Sequence, residues 1–317
     1  LSSSSPQGKA FWSVGGEVMT FRLPTHGWLV TFFATGDDVS FIGRKQDELL
    51  VLAAAQAVKS LSDDWKFGLG CNYAYQDQVV DVSTMETNSL TVARLQGHSL
   101  SGRTFLKREW GNYWAEGELN VARQWLLAPL DSFLQAGAKV SVGRKVAPNS
   151  SLSLSFQWAE VAYDTREEVT LSLAPLPGTH LRSSPKILEA GFHATLDAEK
   201  HWVNSLTLGY ELNNDNGEGY FDYRALRAGD QLKWTSGRWE ASVYGRLARY
   251  DFYHQTVSDT DLRGRARTVV EAGVRLGRNF SRRIKGTLSY SYDRSLAVAS
   301  YDRYEANILS AGVEVGF

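Results

Sequence analysis

The sequence predicts an all-β fold, an antiparallel up-and-down β-barrel of about 14–16 strands that spans a membrane. Three observations lead to this prediction. Apolar and polar residues alternate with a period of two, short turns alternate with longer polar loops, and tryptophans recur just after the short turns. Together these features are typical of strands that turn one face to lipid and the other to water.

The alternation is strictest at 151–158, SLSLSFQW, where leucines and aromatic residues fall on one face and serine and glutamine on the other. Similar alternation occurs at 65–75, 134–143 and 284–292, which predicts strands with one apolar face. The segment 47–61 is rich in leucine and alanine, so its intrinsic propensity favours a helix. We predict a strand there because the rhythm of hairpins requires one.

Short turns and long loops alternate along the chain. Turn signals occur at 24–27, 62–64, 111–112, 147–150, 198–200, 236–238 and 279–283. Polar loops are expected at 81–88, 163–185, 213–223 and 251–265. In bacterial outer-membrane barrels the short turns face the periplasm and the long loops face outward.

This punctuation gives fifteen strands, whereas single-chain bacterial barrels have even counts. We therefore expect either a further strand before Leu1 or one miscounted segment. Residues 1–8 are expected to be a disordered or truncated segment, and 9–317 to form a single barrel domain.

Composition narrows the classes of function. Hydrophobic residues make up 43% and the mean hydropathy is −0.29, as expected if only half of the strand residues face lipid. No apolar run is long enough for a membrane-spanning helix. With 34 basic and 35 acidic residues, the chain has no basic excess, so we expect no nucleic-acid partner. Because Cys71 is the only cysteine, an internal disulfide and a multi-cysteine metal site are excluded.

Five tryptophans follow short turns, and we predict that they form an aromatic girdle at one membrane interface: Trp28, Trp65, Trp114, Trp202 and Trp239. Indole prefers such an interface because its ring is apolar and its N–H needs a polar partner. The alternative is that they are core residues of a soluble β-protein, which gives no reason for their alignment on one rim. Tyrosines toward the loop ends are candidates for a second girdle: Tyr73, Tyr75, Tyr210, Tyr250 and Tyr290.

Eight charged residues fall on the polar side of the alternation and are predicted to face the lumen: Lys66, Glu116, Glu118, Lys139, Arg246, Glu271, Arg275 and Lys285. A ring of one sign would indicate ion selectivity. The mixed signs favour salt-bridged networks that stiffen and fill the lumen, or a pore of low selectivity, and the sequence leaves both open.

No HExxH, GxSxG or glycine-rich phosphate loop is present. His98 and Ser99 are neighbours on a predicted strand and therefore point to opposite faces. The loop 213–222 contains Asn213, Asp215, Glu218 and Asp222, oxygen ligands of the type that calcium prefers, but without EF-hand spacing. We interpret it as a solvated turn. The prediction is a non-enzyme without catalytic residues, metal or cofactor.

The chain ends in SAGVEVGF, in which Ser310, Gly312, Val315 and Phe317 resemble the β-signal of bacterial outer-membrane proteins. That resemblance implies recognition by the barrel-assembly machinery, through pairing of the last strand with an open strand edge.

The chain as a whole resembles the barrel portions of multi-part export proteins in which periplasmic tetratricopeptide repeats precede the barrel. The features that carry this resemblance are APLDSF (128–133), APLPGTHLR (174–182), NDNGEGYFDYR (214–224) and the closing segment 300–317.

We accordingly predict a protein of the bacterial outer membrane, with outer-membrane lipid, the assembly machinery and a periplasmic protein as partners. The leading function is a transport or export pore for a small solute, a polysaccharide or a polypeptide. The alternatives are a structural or docking barrel with a filled lumen and, third, an outer-membrane enzyme.

Overall fold

The computed structural model describes residues 10–25, 27–42, 47–81, 92–127, 130–258 and 260–316. They form one antiparallel sheet of 15 strands, and each strand pairs with the next along the chain. The strands are β1 (Phe11–Thr25), β2 (Trp28–Phe41), β3 (Asp47–Ser60), β4 (Trp65–Asp81), β5 (Val92–Trp110), β6 (Tyr113–Leu126), β7 (Phe133–Ala147), β8 (Ser150–Tyr163), β9 (Arg182–Thr195), β10 (Trp202–Asp215), β11 (Tyr223–Ser236), β12 (Trp239–Thr256), β13 (Gly264–Asn279), β14 (Ile284–Ala297) and β15 (Tyr304–Val315).

A short 3-10 turn at Ser300–Asp302 precedes the last strand. Within the described ranges β1 and β15 are the two edges of the sheet. Among these same residues no helix is long and apolar enough to cross a membrane. The all-β up-and-down architecture and the count of fifteen strands therefore match the prediction.

All seven predicted turns separate paired strands, and we call that end of the sheet the turn end. The turn after β5 has Gly111 at φ 56° and the turn after β11 has Gly237 at φ 58°. These left-handed conformations favour glycine, because a Cβ would be strained there, and they match the twist of two-residue hairpins.

The leucine- and alanine-rich segment is a strand, as predicted. It forms β3 and pairs on both sides, with Ala55 opposite Phe32 on β2 and Cys71 on β4. Pairing with two neighbours outweighs the helical propensity of the segment, since strand preference depends mainly on tertiary context.

Several strands run further into the predicted loops than the sequence indicated. β10 continues to Asp215, β12 to Thr256, and β13 begins at Gly264. The loops between them are therefore shorter than expected. The predicted loop at 81–88 lies, apart from its first residue, outside the described residues, and so does the predicted N-terminal segment 1–8.

The register divides the sheet into two faces, because directly paired residues point the same way. Leu154 pairs with Val142 and Leu288 with Ala311. Leu154 and Leu288 are 47% and 49% exposed, and we call the surface that contains them the apolar face. Large apolar side chains are exposed along it from β1 to β15. An apolar surface of this extent is unusual in a soluble protein and suits lipid contact. The opposite surface is the polar face.

Candidate functional site on the polar face

The register brings all eight predicted lumen charges to the polar face. On β6 and β7, Glu118 is directly opposite Lys139, which is opposite Gln157 of β8. On β12 and β13, Arg246 is directly opposite Glu271. The sequence alternation therefore assigned these side chains to one common surface, and only the register shows which of them are neighbours.

At the turn end, Glu109 accepts contacts from three lysines of the polar face. Its Oε1 lies 3.2 Å from Lys66 Nζ and 2.9 Å from Lys107 Nζ, and its Oε2 lies 3.7 Å from Lys145 Nζ. Sequence reasoning identified Lys66 but missed the carboxylate at the centre. One carboxylate among three ammonium groups leaves this part of the surface net positive.

A second ionic cluster links the later strands at the same end. Lys285 Nζ lies 2.6 Å from Glu240 Oε1 and 3.7 Å from Glu314 Oε2, and Arg275 lies 2.8 Å from Glu314 Oε1. The cluster joins β12, β13, β14 and β15 across the polar face. It therefore ties the last strand to its neighbours by side chains in addition to backbone hydrogen bonds.

Midway along the strands, Arg246 lies 3.2 Å from Glu271 and Arg103 lies 3.7 Å from Glu118. In the described part of the chain, neither Glu116 nor Lys139 takes part in an ion pair within 4.0 Å. The Arg246 side chain is 68% exposed, so pairs of this kind contribute little to stability. Together they make the polar face a solvent-exposed surface with charges of both signs.

At the loop end, two loops fold over the polar face, and we call residues 164–181 and 216–222 the cap. The cap loops bond to each other: Leu171 N–H donates to Glu218 Oε2 at 2.8 Å, and Asn216 Nδ2 donates to Glu168 Oε1 at 2.6 Å. Leu181 and Phe221 are buried, at 3% and 4% exposure. The predicted loop 213–223 is thus partly packed, rather than freely solvated, because its aromatic residue fills the space beneath the cap.

The carboxylates of this loop organise its backbone. Asp215 accepts hydrogen bonds from the backbone N–H groups of Gly217, Gly219 and Phe221 at 2.8, 3.0 and 2.7 Å. Asp222 accepts one from the Asp215 N–H at 2.7 Å. Both carboxylates therefore bond to backbone N–H groups of the turn. Across the described ranges, no group of three or more metal-ligating side chains is found.

A buried ion pair connects the cap to the strands. Arg265 donates to both carboxylate oxygens of Asp302, at 2.7 and 2.8 Å, and to Gln255 Oε1 at 2.6 Å. Gln255 in turn donates to the Tyr220 carbonyl at 2.9 Å. The Arg265 guanidinium lies 4.7 Å from the centre of the Phe252 ring. No sequence signal pointed to this network, because its partners are distant in the chain.

Two cavities of about 270 Å³ each open on the polar face. The first lies beneath the cap, and Phe133, Gln157 and Phe221 contribute to its walls. The second lies further toward the turn end, with Arg246 and Glu271 in its walls. Arg227 lines both cavities.

Arg227 is held between the two cavities by its neighbours. It forms an ion pair with the buried Glu211, and Glu211 Oε1 accepts a hydrogen bond from the Tyr223 hydroxyl at 2.7 Å. The Arg227 side chain thus forms part of the wall of the cavity beneath the cap and of the cavity along the strands.

Four of the five predicted girdle tryptophans, Trp28, Trp65, Trp202 and Trp239, lie on the apolar face at the turn end. The fifth, Trp114, shares its face with Glu116 and Glu118. It lies above Gly143, where a Cβ would come within 2.4 Å of the indole. Its neighbour Tyr113 takes the place on the apolar face, because adjacent strand residues point to opposite sides.

The predicted second girdle divides in the same way. Tyr73, Tyr75, Tyr210 and Tyr290 lie on the apolar face, whereas Tyr250 lies on the polar face, opposite Ala225 and Arg267. His98 accompanies the first group, with its Nδ1 2.8 Å from the Tyr73 hydroxyl. A girdle function for these rings stays a prediction.

The predicted assembly signal lies on β15. Ser310 is opposite Ser289 and Gly312 opposite Thr287 on the polar face, and Val315 is opposite Ile284 on the apolar face. Phe317 lies outside the described residues. Recognition of this segment by an assembly machinery stays a prediction.

No family model and no curated protein matches the sequence. Among solved structures, the fold is similar to the copper transporter OprC, with a TM-score of 0.51, 12% identity and 97% of this chain covered. The chain spans 58% of the length of that protein. It also aligns with OprD of Pseudomonas aeruginosa at TM-score 0.47 and 11% identity, over 96% of this chain and 90% of that one. A further alignment, with OmpT of Vibrio cholerae, has TM-score 0.43 and 10% identity, over 96% of this chain and 95% of that one.

This chain has the fold of an outer-membrane β-barrel. The predicted fold class is confirmed, and the predicted location in the bacterial outer membrane agrees with it. The resemblance to barrels that follow tetratricopeptide repeats stays a prediction.

Proposed function

We propose that the protein is a transport pore of the outer membrane, with its polar face lining the path. The observation that carries this proposal is the common placement of the eight mixed charges on one wet face, with two cavities along it. OprC, which shares the fold, is a copper transporter by name. The substrate of this chain is left open, because mixed charges favour no sign of solute.

The cap is the narrow part of the proposed path. It packs over the polar face at the loop end, above one of the two cavities. Arg227 is the charged side chain that both cavities share. We therefore expect it to contribute to the resistance of the path, and the paired charges beyond it to provide weak, exchangeable contacts.

Conductance in planar bilayers tests this proposal. Arg227→Ala removes the side chain between the cavities and is expected to raise the single-channel conductance. The matched control is Arg224→Ala, because Arg224 lies three residues away on the same strand but on the apolar face, paired with Asp251. An equal change in both variants would contradict the assignment of the path.

The runner-up, a docking barrel with a filled lumen, is favoured by the buried network that fixes the cap. Replacing residues 167–179 by a short glycine–serine linker distinguishes a transport pore from a docking barrel. A pore is expected to gain a steady current when this loop of the cap is removed. If the shortened protein still shifts on unboiled gels but passes no current, the transport proposal is wrong and the docking function stands.

We also propose that the C-terminal strand is recognised by the barrel-assembly machinery and that a periplasmic protein works with the barrel. For the first of these, Phe317→Asp is expected to reduce membrane insertion and leave periplasmic aggregates. Phe317→Trp keeps an aromatic terminus and serves as the control. Normal levels of folded barrel in the aspartate variant would remove the support for an assembly signal here.

A further inference from the structure

Aromatic residues at the turn end recur in one register position. The even-numbered strands run from the turn end to the loop end, and five of them begin with an aromatic residue on the apolar face: Trp28, Trp65, Tyr113, Trp202 and Trp239. In four cases the residue directly opposite on the next strand is a cation. The pairs are Trp28 with Lys59, Trp65 with Arg108, Tyr113 with Arg144, and Trp239 with Arg278. We call these four pairs the collar.

The cations of the collar lie against the rings. The distances from cation to ring centre are 5.8 Å for Lys59 over Trp28, 5.3 Å for Arg108 over Trp65, 5.4 Å for Arg144 over Tyr113 and 4.9 Å for Arg278 over Trp239. These distances lie within the range in which a cation is attracted to the face of an aromatic ring.

Two of the arginines contact a second ring. Arg108 lies 5.7 Å from the centre of the Trp110 ring, and Arg278 lies 5.4 Å from that of Phe280. Trp110 follows Arg108 by two positions on the same face of β5, and Phe280 lies just beyond the end of β13, with its ring next to Gly286 of β14. Stacking occupies the flat sides of a guanidinium and leaves its in-plane N–H donors directed outward.

The collar cations differ in their partners from several arginines of the apolar face that lie near the loop end. Within the described parts of the strands, none of Lys59, Arg108, Arg144 and Arg278 is in an ion pair. At the loop end, by contrast, Arg94 lies 2.6 Å from Asp77 and Arg182 lies 3.1 Å from Glu160. The collar therefore presents uncompensated positive charge next to indole and phenol rings, at the level where a membrane changes from acyl chains to headgroups.

We propose that the collar binds the phosphate groups of anionic phospholipids in the leaflet next to the tight turns. The rings lie along the acyl–headgroup boundary, while the guanidinium and ammonium groups donate hydrogen bonds to phosphate oxygens, for which arginine is well suited. Anionic headgroups add long-range attraction to the uncompensated charges. This inference does not depend on whether a solute passes through the barrel.

Native mass spectrometry of the reconstituted barrel tests the proposal. The protein is released from phosphatidylcholine vesicles that contain increasing fractions of phosphatidylglycerol, and the retained lipids are counted. The collar variant is Arg108→Gln with Arg278→Gln. The matched control is Arg224→Gln with Arg249→Gln, which removes two arginines from the same face at the loop end, both paired with Asp251.

The collar variant is expected to bind phosphatidylglycerol about fivefold more weakly for each cation removed, and the control to bind it as the unmodified protein does. Arg108→Lys with Arg278→Lys keeps the charge and is expected to retain most of the binding. Heat-shifted mobility on gels verifies that each variant is folded.

Three outcomes overturn the proposal. Equal loss of phosphatidylglycerol in the collar variant and the control shows that position on the face is irrelevant. Equal retention of phosphatidylcholine and phosphatidylglycerol shows that headgroup charge is irrelevant. Displacement of the lipid by millimolar inorganic phosphate shows a site for free phosphate instead of a lipid surface.

Discussion

The turn end and the loop end of the apolar face both contain arginines, but they stabilise these charges by different interactions. Both place arginines next to a membrane, where an isolated charge is costly. At the loop end Arg224 and Arg294 face the carboxylates of Asp251 and Glu305, at 3.4 and 3.8 Å. At the turn end Arg278 is stacked on Trp239. These loop-end arginines are thus neutralised within the protein, whereas the collar cations keep their positive charge available to the surroundings.

The largest effect is expected from the buried network at the loop end. Asp302→Asn leaves the guanidinium of Arg265 buried without its carboxylate, and breaking a buried pair costs about 3–5 kcal/mol. The side chains of Arg265 and Asp302 are 6% and 0% exposed. Unfolding by urea in lipid vesicles measures the loss. Glu305→Gln, at an exposed pair, is the control, and an equal loss there would show that burial is not the cause.

A smaller loss of folding free energy is expected from a charge placed on the apolar face midway between the turn end and the loop end. Leu154→Arg places a charge in the middle of the apolar face, where the residues directly opposite are Val142 and Ala190 and provide no carboxylate. We expect a cost of roughly 2–4 kcal/mol near the bilayer midplane. Ser153→Arg points to the polar face, next to Gly191, and is expected to fold. The yield of folded, gel-shifted protein compares them. If both variants fold equally well, the assignment of faces must be reversed or abandoned.

The dependence of the coupling energy on salt distinguishes the arginine–carboxylate pairs of the loop end from the cation–ring pairs of the collar. A double-mutant cycle on Arg94 and Asp77 is expected to give a weak coupling at low salt and a much smaller one at 1 M, because solvent and ions screen an exposed pair. A cycle on Arg278 and Trp239 is expected to give about 0.5–1 kcal/mol and to change little with salt, because the attraction acts at contact between a cation and a ring. Unfolding free energies at both salt concentrations provide the test. If the two couplings decline together, the turn end and the loop end hold their arginines by the same kind of interaction.

The smallest effect concerns pH at the start of the cap. Arg123 donates hydrogen bonds to the Asp164 carboxylate and holds its pKa below the ordinary value. A lowered folded-state pKa stabilises the fold above the unfolded value of about 3.9. The contribution is lost as the pH falls through the folded value. We therefore expect proteolysis of the cap to increase at acid pH, and Asp164→Asn to remove that part of the dependence.

The sequence determined the class of fold because a strand exposes alternate residues to opposite environments. At 151–158 the pattern of apolar and polar residues by itself identifies the strand and both of its faces, and the register confirms them. Gly111 likewise predicts the turn after β5, since few other residues accept its left-handed backbone conformation. In β3 the pattern is weak, because Leu50 and Leu52 lie on the polar face and Val51 and Ala53 on the apolar one. There only the spacing of the hairpins indicated a strand.

Pairwise geometry was decided by the tertiary structure alone. Trp114 and Tyr113 are both aromatic and adjacent in sequence, so position after a turn did not tell which of them faces lipid. Arg265 and Asp302 are 37 residues apart, and they meet only when the turn before β15 packs against the start of β13. The collar depends on which cation lies opposite each ring, which is a property of the register between strands. Alternation assigns a residue to a face, but its partner on that face is fixed only when the neighbouring strand has paired.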